Sequence, residues 1–296
     1  MKTKELDGSV GSIGAVRAIR GEEPREYNRP GRMERIASRH NPIVRRFRDL
    51  ARAGASADTM LLDGEHLLQE ALGAAVTVEV AAFAERLAGN RLAALVARAA
   101  AAGVRTVAVT DQILAAISPV KNPTGAVALA TRRHGTLDGV LAAPRALILL
   151  LNEVQDPGNV GGIVRVAEAC GATGIVTSPG SADPFGWKAL RGAMGSTFRM
   201  PIATRQSLAD AITRARAAGL HVYATVPRGG TRLASADLRK PAAVLLGGEG
   251  AGLPDTLVAA AGDRLTIPMR PTVESLNVAT AAALIVYEAS RQRSES

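Results

Sequence analysis

The sequence contains few of the residues that define several common protein classes. It has one cysteine, Cys170, in 296 residues. A disulfide framework and a cysteine-based metal site are therefore excluded, which is typical of a protein in the reducing cytoplasm. Aromatic residues make up only 3% of the chain. Stacking of bases on exposed rings is therefore not expected to dominate any contact with nucleic acid.

Long apolar runs and clustered metal ligands are also missing. The first residues, MKTKELDGSVGSIG, contain no continuous apolar core for a signal peptide, and no window reaches the roughly 18 apolar residues of a membrane span. We therefore expect a soluble protein without a membrane partner. The four histidines are scattered along the chain at positions 40, 66, 134 and 221. None has the spacing of helical metal ligands, so no metal site is expected.

The chain has a large excess of positive charge. It carries 36 Lys and Arg against 27 Asp and Glu, which gives a formal net charge of +9 and an isoelectric point near 10.5. Phosphates attract such a surface at long range. The composition therefore favours a polyanionic partner, with nucleic acid as the leading class.

The positive charge is concentrated near the start of the chain. Residues 1–31 mix charges, glycine and proline without apolar periodicity and are predicted to form a disordered basic arm. Asn41-Pro42 then opens a predicted helix. Seven arginines stand against two acids between Arg32 and Arg52, at positions 32, 35, 39, 45, 46, 48 and 52. The run is either a solvated helix face or a surface that contacts RNA phosphates.

Two α/β domains are predicted from the alternation of apolar strands and helices. Residues 32–135 read as a smaller α/β sandwich, and the charged segment 131–138 interrupts the alternation. Residues 140–296 form the second predicted domain, with aliphatic strands at 146–151, 174–178, 221–226, 243–246 and 264–268. Strands that are apolar on both faces imply a parallel sheet covered by helices on both sides. Ligands of such a sheet gather beyond the carboxyl ends of its strands.

Three loops rich in glycine or polar residues follow strands of the second domain, at 152–162, 247–252 and 268–277. A nicotinamide enzyme is disfavoured, because Gly158-Asn-Val-Gly161-Gly162 lacks the G-x-G-x-x-G spacing and no acid ends the second strand. Each loop alone also has a structural explanation, either as a tight turn or as a helix cap. We expect all three loops to converge on one rim of the sheet, where they would form a single site.

Together these loops resemble a known family. NEVQDPGNVGGIVR (152–165), LGGEGAGL (246–253) and IPMRPTVESLNVATAAA (267–283) resemble the three signature motifs of the SpoU/TrmH RNA 2'-O-methyltransferases. DPFGWKALRGAMGS (183–196) resembles the segment between the first and second motifs. The first domain is similar to the ribosomal-protein-like substrate-binding domain of many members, with LDGEHLLQEAL (62–72) at its typical start.

The resemblance implies a fold, a cofactor and an assembly. Members thread their C-terminal segment into a deep trefoil knot, here roughly residues 220–293. They bind S-adenosylmethionine in its loops, and Gly247, Ile267 and Leu276 are the matching cofactor-binding positions. Members are also dimers with active sites completed across the interface, and the final helix, predicted from Ser275 to Arg293, would supply part of that contact.

The resemblance also implies the catalytic residues, and Arg165 is the matching catalytic position. Because arginine is normally protonated, it either loses its proton to act as the base or stays charged, binds the adjacent phosphate and stabilises the attacking hydroxyl. We favour the second account. Asn159 would orient Arg165 or the ribose, Glu249 would anchor the loops, and Ser275 and Asn277 would fix the cofactor loop and an RNA phosphate.

The expected activity is methylation of a ribose 2'-hydroxyl in large-subunit (23S) rRNA. The separate substrate-binding domain favours rRNA, because members that act on tRNA more often carry short helical extensions. A tRNA 2'-O-methyltransferase is the main alternative. A non-catalytic RNA-binding factor of ribosome assembly is a second one, and the presence of all five catalytic positions argues against it.

Overall fold

Strands and helices alternate along the chain in the computed structural model, which describes residues 33–54, 56–250 and 252–294. The predicted basic arm at 1–31 and Arg32 lie outside the described residues. Within the described residues the strands form a sheet of five and a sheet of seven. None of the helices in that part of the chain has the length and hydropathy that a bilayer crossing requires.

The first sheet has the strand order β1-β4-β3-β5-β2. Its strands are β1 (Glu34–Ile36), β2 (Thr59–Asp63), β3 (Val78–Ala84), β4 (Arg105–Val109) and β5 (Ala126–Thr131). The helices between them are α1 (Pro42–Ala53), α2 (Glu65–Gly73), α3 (Glu85–Ala88), α4 (Ala93–Ala101) and α5 (Asp111–Ile117). Strand β5 runs antiparallel to both β2 and β3, so this sheet is mixed.

The second sheet has the order β10-β12-β9-β11-β6-β7-β8. Its strands are β6 (Leu147–Asn152), β7 (Gly174–Thr177), β8 (Ile202–Ala203), β9 (His221–Thr225), β10 (Thr231–Arg232), β11 (Ala242–Gly247) and β12 (Asp263–Thr266). Its helices are α6 (Leu137–Leu141), α7 (Pro157–Ala169), α8 (Trp187–Ala193), α9 (Leu208–Ala217), α10 (Asp255–Ala261) and α11 (Val278–Ser294). Every strand pair in this sheet is parallel, which confirms the prediction.

Strand β6 shows why helices cover both faces of the second sheet. All six of its residues are buried. Leu147, Leu149 and Leu151 pack into one cluster with α7, α8 and α11. Ile148 and Leu150 point the other way and pack with α6, α9 and α10. Alternating side chains of a strand face opposite sides of its sheet, so an all-aliphatic strand needs two apolar covers.

The helix boundaries follow their capping residues. Helix α1 begins at Pro42, and the side chain of Asn41 accepts a 2.8 Å hydrogen bond from the backbone N–H of Ile43, as the Asn-Pro pair predicts. The predicted helix 90–102 instead begins at Ala93. The side chain of Asn90 donates to the carbonyl of Arg86, which closes the preceding turn. Strands β1, β8 and β10 were not predicted, because two or three residues carry no readable periodicity.

The two sheets are joined by an ion pair between a buried carboxylate, Asp63, and a half-exposed arginine, Arg191. Asp63, at the end of β2, is 7% exposed. It accepts a 2.6 Å hydrogen bond from the Ser118 hydroxyl and a 2.8 Å hydrogen bond from Nη1 of Arg191, in α8. Since Asp63 and Ser118 belong to the first α/β unit and Arg191 to the second, this carboxylate fixes one unit against the other.

Arginines from the connecting segment and from the second unit add further ties. Arg132 is buried, and it donates to Asp183 at 2.7 Å while stacking 4.4 Å above the Phe185 ring. Arg199 donates to Glu70 of α2 at 2.6 Å and also to Glu168 of α7. The hydrogen bond from Arg199 lowers the pKa of Glu168. One apolar cluster continues beneath these contacts from the first unit into the second.

The Asp63–Arg191 ion pair is expected to stabilise the protein, and a single substitution tests this. Asp63→Asn removes the charge that Arg191 needs and leaves a buried amide beside a guanidinium. We expect the free energy of unfolding to fall by about 2 kcal/mol, the size of a hydrogen bond to a charged group. Chemical denaturation followed by circular dichroism measures this change.

The matched control is Glu85→Gln, which breaks the exposed Arg35–Glu85 pair, whose side chains are 62% and 39% exposed. An exposed pair is screened by solvent and contributes little to stability. Equal losses for the two variants would show that the Asp63 pair stabilises the protein no more than a surface pair does.

Candidate active site

The polar loops of the second unit meet at one rim of its sheet. Strands β12, β9, β11 and β6 are neighbours and run parallel, so their carboxyl ends lie side by side. The loops at 152–162, 247–252 and 268–277 follow β6, β11 and β12. The expectation that they converge is therefore confirmed, and the order of the strands in the sheet explains it.

Asn159 connects all three loops through its side-chain amide. Asp156 caps α7 and accepts a 2.8 Å hydrogen bond from the backbone N–H of Asn159, which places this residue in the first turn. The Asn159 Nδ2 donates to Oε1 of Glu249, from the second loop. Its Oδ1 accepts a 3.1 Å hydrogen bond from Nδ2 of Asn277, from the third loop. Three of the predicted site residues are thus in direct contact.

Asn277 also caps the last helix. Its Oδ1 accepts hydrogen bonds from the backbone N–H groups of Ala279, at 2.9 Å, and Thr280, at 3.2 Å. Helix α11 consequently begins at Val278 and not at the predicted Ser275. The oxygen of this side chain therefore caps the helix while its nitrogen contacts Asn159.

Two glycines of the second loop allow the loops to approach each other. A Cβ atom on Gly248 would lie 2.0 Å from the carbonyl oxygen of Glu153, in the first loop. A Cβ atom on Gly247 would lie 2.4 Å from the backbone of Gly252. Any side chain at either position would clash with this backbone. The two glycines are therefore required for the close approach of the loops and not only for a turn.

A cavity of about 550 Å³ opens between the second and third loops. Gly247, Ile267 and Leu276, the three predicted cofactor-binding residues, all line it. Glu249, Ser275 and Asn277 line it as well. This volume lies in the range of roughly 300–1,000 Å³ that is typical of small-molecule sites.

Residues of two neighbouring strands also contribute to the cavity wall without any local sequence signal. Residues 225–227, at the end of β9, and Arg264, in β12, also line it. Their part depends on β9 lying between β11 and β12. Neighbouring strands cannot be read from the strand sequences, so only the general rule about carboxyl ends pointed there.

Arg165 stands apart from the other predicted residues. It is exposed, and no hydrogen bond or ion pair involves it among the described residues. It follows Asn159 by six positions on α7, which is about 9 Å along the axis and about a third of a turn around it. Within a single chain Arg165 does not line the cavity.

The comparisons with known proteins agree with this geometry. The sequence model of the SpoU rRNA Methylase family matches residues 146–287, and that of the MRM3-like substrate binding domain matches residues 41–128. An uncharacterized tRNA/rRNA methyltransferase of Synechocystis is 34% identical over 87% of this chain and 94% of the relative. The chain belongs to the SpoU methylase family.

A second relative and a solved structure cover nearly the same length of this SpoU-family chain. The 23S rRNA (guanosine(2553)-2'-O)-methyltransferase RlmP of Bacillus subtilis is 30% identical over 86% of this chain and 98% of its own. The AdoMet-bound rRNA methyltransferase of Sinorhizobium meliloti superposes with a TM-score of 0.77 at 31% identity. It covers 88% of this chain and 98% of its own. The similarity therefore includes both α/β units.

In this SpoU-family chain two adjacent glycines lie where α7 packs against α8 and α11. A Cβ atom on Gly161 would lie 2.3 Å from the carbonyl oxygen of Ala189, so α7 and α8 touch backbone to backbone. A Cβ atom on Gly162 would lie 3.6 Å from the Cβ of Ala279 in α11, which is an ordinary contact. The two glycines therefore differ in how much space a methyl group finds.

This difference predicts opposite effects on stability for two neighbouring substitutions. Gly161→Ala forces α8 away from α7 and is expected to lower the free energy of unfolding by about 1–3 kcal/mol. Gly162→Ala meets no clash and is expected to raise it by up to about 1 kcal/mol, because alanine favours the helix. Denaturant titration of both variants measures the two signs. Equal and small changes would show that α8 relaxes freely and that the backbone contact is not a constraint.

Proposed function

We propose that the chain transfers a methyl group from S-adenosylmethionine to a ribose 2'-hydroxyl of rRNA, with 23S rRNA as the substrate. The observation that carries the proposal is the Asn159 amide, which joins the Glu249 and Asn277 loops beside a ligand-sized cavity. A 23S rRNA 2'-O-methyltransferase and an AdoMet-bound rRNA methyltransferase are among the relatives. A cytoplasmic location would follow from an rRNA substrate and belongs to the same proposal.

The cavity has the character that this cofactor requires. Its wall combines aliphatic side chains such as Ile267 and Leu276 with the backbone of the Gly247 loop. Such a wall holds an adenine ring by apolar contact and its polar edge by backbone N–H and C=O groups. When bound, S-adenosylmethionine supplies an electrophilic methyl group on a sulfonium. We place its binding residues at Gly247, Ile267 and Leu276.

The reacting hydroxyl needs stabilisation as its proton leaves, and Arg165 fits this task. A guanidinium keeps its charge and binds phosphate through two parallel hydrogen bonds. Arg165 is exposed and has no internal partner among the described residues, so it is available to the phosphate next to the target ribose. Held there, its charge favours the developing oxyanion. A phosphate oxygen or water accepts the proton.

The other four residues would hold the parts of the site together. Asn159 would orient the ribose while its hydrogen bonds fix the loops, and Glu249 would anchor the second loop. Ser275 and Asn277 would fix the cofactor loop and contact an RNA phosphate. Threading of residues 220–293 through a trefoil knot and domain limits of 32–135 and 140–296 are parts of the same proposal.

A homodimer would complete the site. Leu284 and Tyr287 lie three residues apart on α11 and are 41% and 64% exposed, which is high for large apolar side chains. Helix α11 packs on α7, which carries Arg165. A second copy covering α11 would bury these side chains. It would also bring Arg165 of one protomer toward the cavity of its partner.

The catalytic proposal is tested on Arg165. We expect Arg165→Ala to lower kcat for an unmodified 23S rRNA transcript by about 100-fold or more, the size of a lost charge stabiliser. Arg165→Lys is also expected to be impaired, because an ammonium cannot form the paired hydrogen bonds of a guanidinium. Transfer of labelled methyl groups gives the rate, and the affinity for S-adenosylmethionine in calorimetry should stay within about twofold, since Arg165 is proposed to bind the RNA phosphate and not the cofactor.

Three outcomes would contradict parts of this proposal. Full activity of Arg165→Lys would remove any specific role of the guanidinium. A wild-type protein that methylates a tRNA transcript and not 23S rRNA would identify the substrate as tRNA. Failure of the wild-type protein to bind S-adenosylmethionine would favour the non-catalytic assembly factor.

The dimer is tested on Tyr287. Tyr287→Glu places a charge in the proposed interface and is expected to shift the protein to monomers in sedimentation velocity, with loss of methyl transfer. Tyr287→Phe keeps the apolar ring and should keep the dimer. A wild-type protein that sediments as a monomer while transferring methyl groups would show that each chain holds a complete site.

A further inference from the structure

Three arginines form a row on the outer side of α1. Arg45, Arg48 and Arg52 are spaced at i, i+3 and i+7, which places them within about 60° of one another around the helix. Val44 and Phe47 are each 1% exposed and anchor the helix to its sheet. In the row, called the α1 arginine row below, Arg45 and Arg52 are exposed and Arg48 is half-buried.

Within the part of the chain that the structure describes, no internal hydrogen bond or ion pair involves the α1 arginine row, in contrast to Arg46 and Arg35. Arg46 pairs with Glu79 at 2.6 Å, and Arg35 pairs with Glu85 at 2.7 Å. Among the described residues, no carboxylate forms an ion pair with any member of the row. The one acid on this side of α1 is Asp49, which leaves the row a net charge of +2. Guanidinium groups without a carboxylate partner are available to an external anion.

The row leads toward the candidate active site through a continuous set of contacts. The carbonyl of Gly54, which follows α1, accepts a 3.1 Å hydrogen bond from the backbone N–H of Trp187, the first residue of α8. The Trp187 ring packs against the apolar cluster that α1 covers. Lys188 is the next residue, exposed, with its Nζ 5.4 Å from the Trp187 ring centroid. Helix α8 then packs backbone to backbone on α7, whose first turn carries Asn159.

We propose that the α1 arginine row and Lys188 bind successive phosphates of the rRNA segment that enters the active site. The inference rests on the proposed function and adds the surface by which the substrate is held. Arginine binds phosphate bidentately, and contacts of this kind set the position of an RNA without reading its bases. Because few aromatic residues are present to stack on bases, contacts between cationic side chains and RNA phosphates must supply much of the affinity.

The salt dependence of RNA binding tests this surface. The triple variant Arg45→Gln/Arg48→Gln/Arg52→Gln removes three positive charges from α1. Because glutamine is a good helix former, the helix is expected to remain intact. An unmodified 23S rRNA transcript is the probe, and its affinity is measured by filter binding over a series of KCl concentrations. Each lost phosphate contact lowers the slope of log K against log[salt] by roughly 0.7–0.9, so we expect a decrease of about 2. The KM for RNA should rise while kcat at saturating RNA is kept.

The matched control is the double variant Arg35→Gln/Arg46→Gln, whose arginines already have carboxylate partners. It should retain nearly the wild-type slope. A folded triple variant with the wild-type slope and KM would overturn the proposal, and so would equal losses in the control, which would indicate a general charge effect. The wild-type affinity for S-adenosylmethionine and its methyl transfer are measured in parallel. A wild-type protein that neither binds S-adenosylmethionine nor transfers methyl groups contradicts the proposed function. The difference in RNA binding between the triple variant and the wild type tests the arginine row alone.

Discussion

Burial of β6 on both faces is the constraint on which the rest of the second unit depends. Six consecutive aliphatic or buried residues cannot face solvent on either side, so helices must lie above and below the sheet. Helical crossovers in turn allow the neighbouring strands to run parallel, and parallel strands bring their carboxyl ends to one rim. The loops at 152–162, 247–252 and 268–277 therefore share an edge although more than 100 residues separate the first from the last.

At that rim, one amide and two glycines turn three loops into a single site. The Asn159 side chain uses its donor for Glu249 and its acceptor for Asn277, so a shift of either loop breaks one of these hydrogen bonds. Gly247 and Gly248 let the backbones approach at distances that exclude a side chain. The cavity wall is consequently preorganised by short polar contacts on one side and by close backbone packing on the other.

Direct contacts fix the position of the first unit relative to this site. The Asp63–Arg191 pair, the buried Arg132 and the Arg199 bridge all cross between the units, and an apolar cluster continues beneath them. Two of these arginines lie in or just after α8, which touches α7 backbone to backbone. A substrate held on the first unit is thereby presented at a fixed distance from Asn159. Such rigid presentation suits a large folded RNA, whose target ribose must be placed within bond-forming distance.

The sequence by itself determined the fold class, the parallel sheet and the residues that meet at its rim. Periodicity identifies strands such as β6 because burial leaves a repeating signal, and a cluster of glycines such as that around Gly247 marks a loop that needs space or a tight turn. The tertiary structure alone decided that Asp63 pairs with Arg191, that Asn277 both caps α11 and reaches Asn159, and that Arg165 lies away from the cavity of its own chain. These facts depend on which elements become neighbours. Neighbours far apart in sequence are chosen by the packing of the whole chain, and no local pattern records that choice.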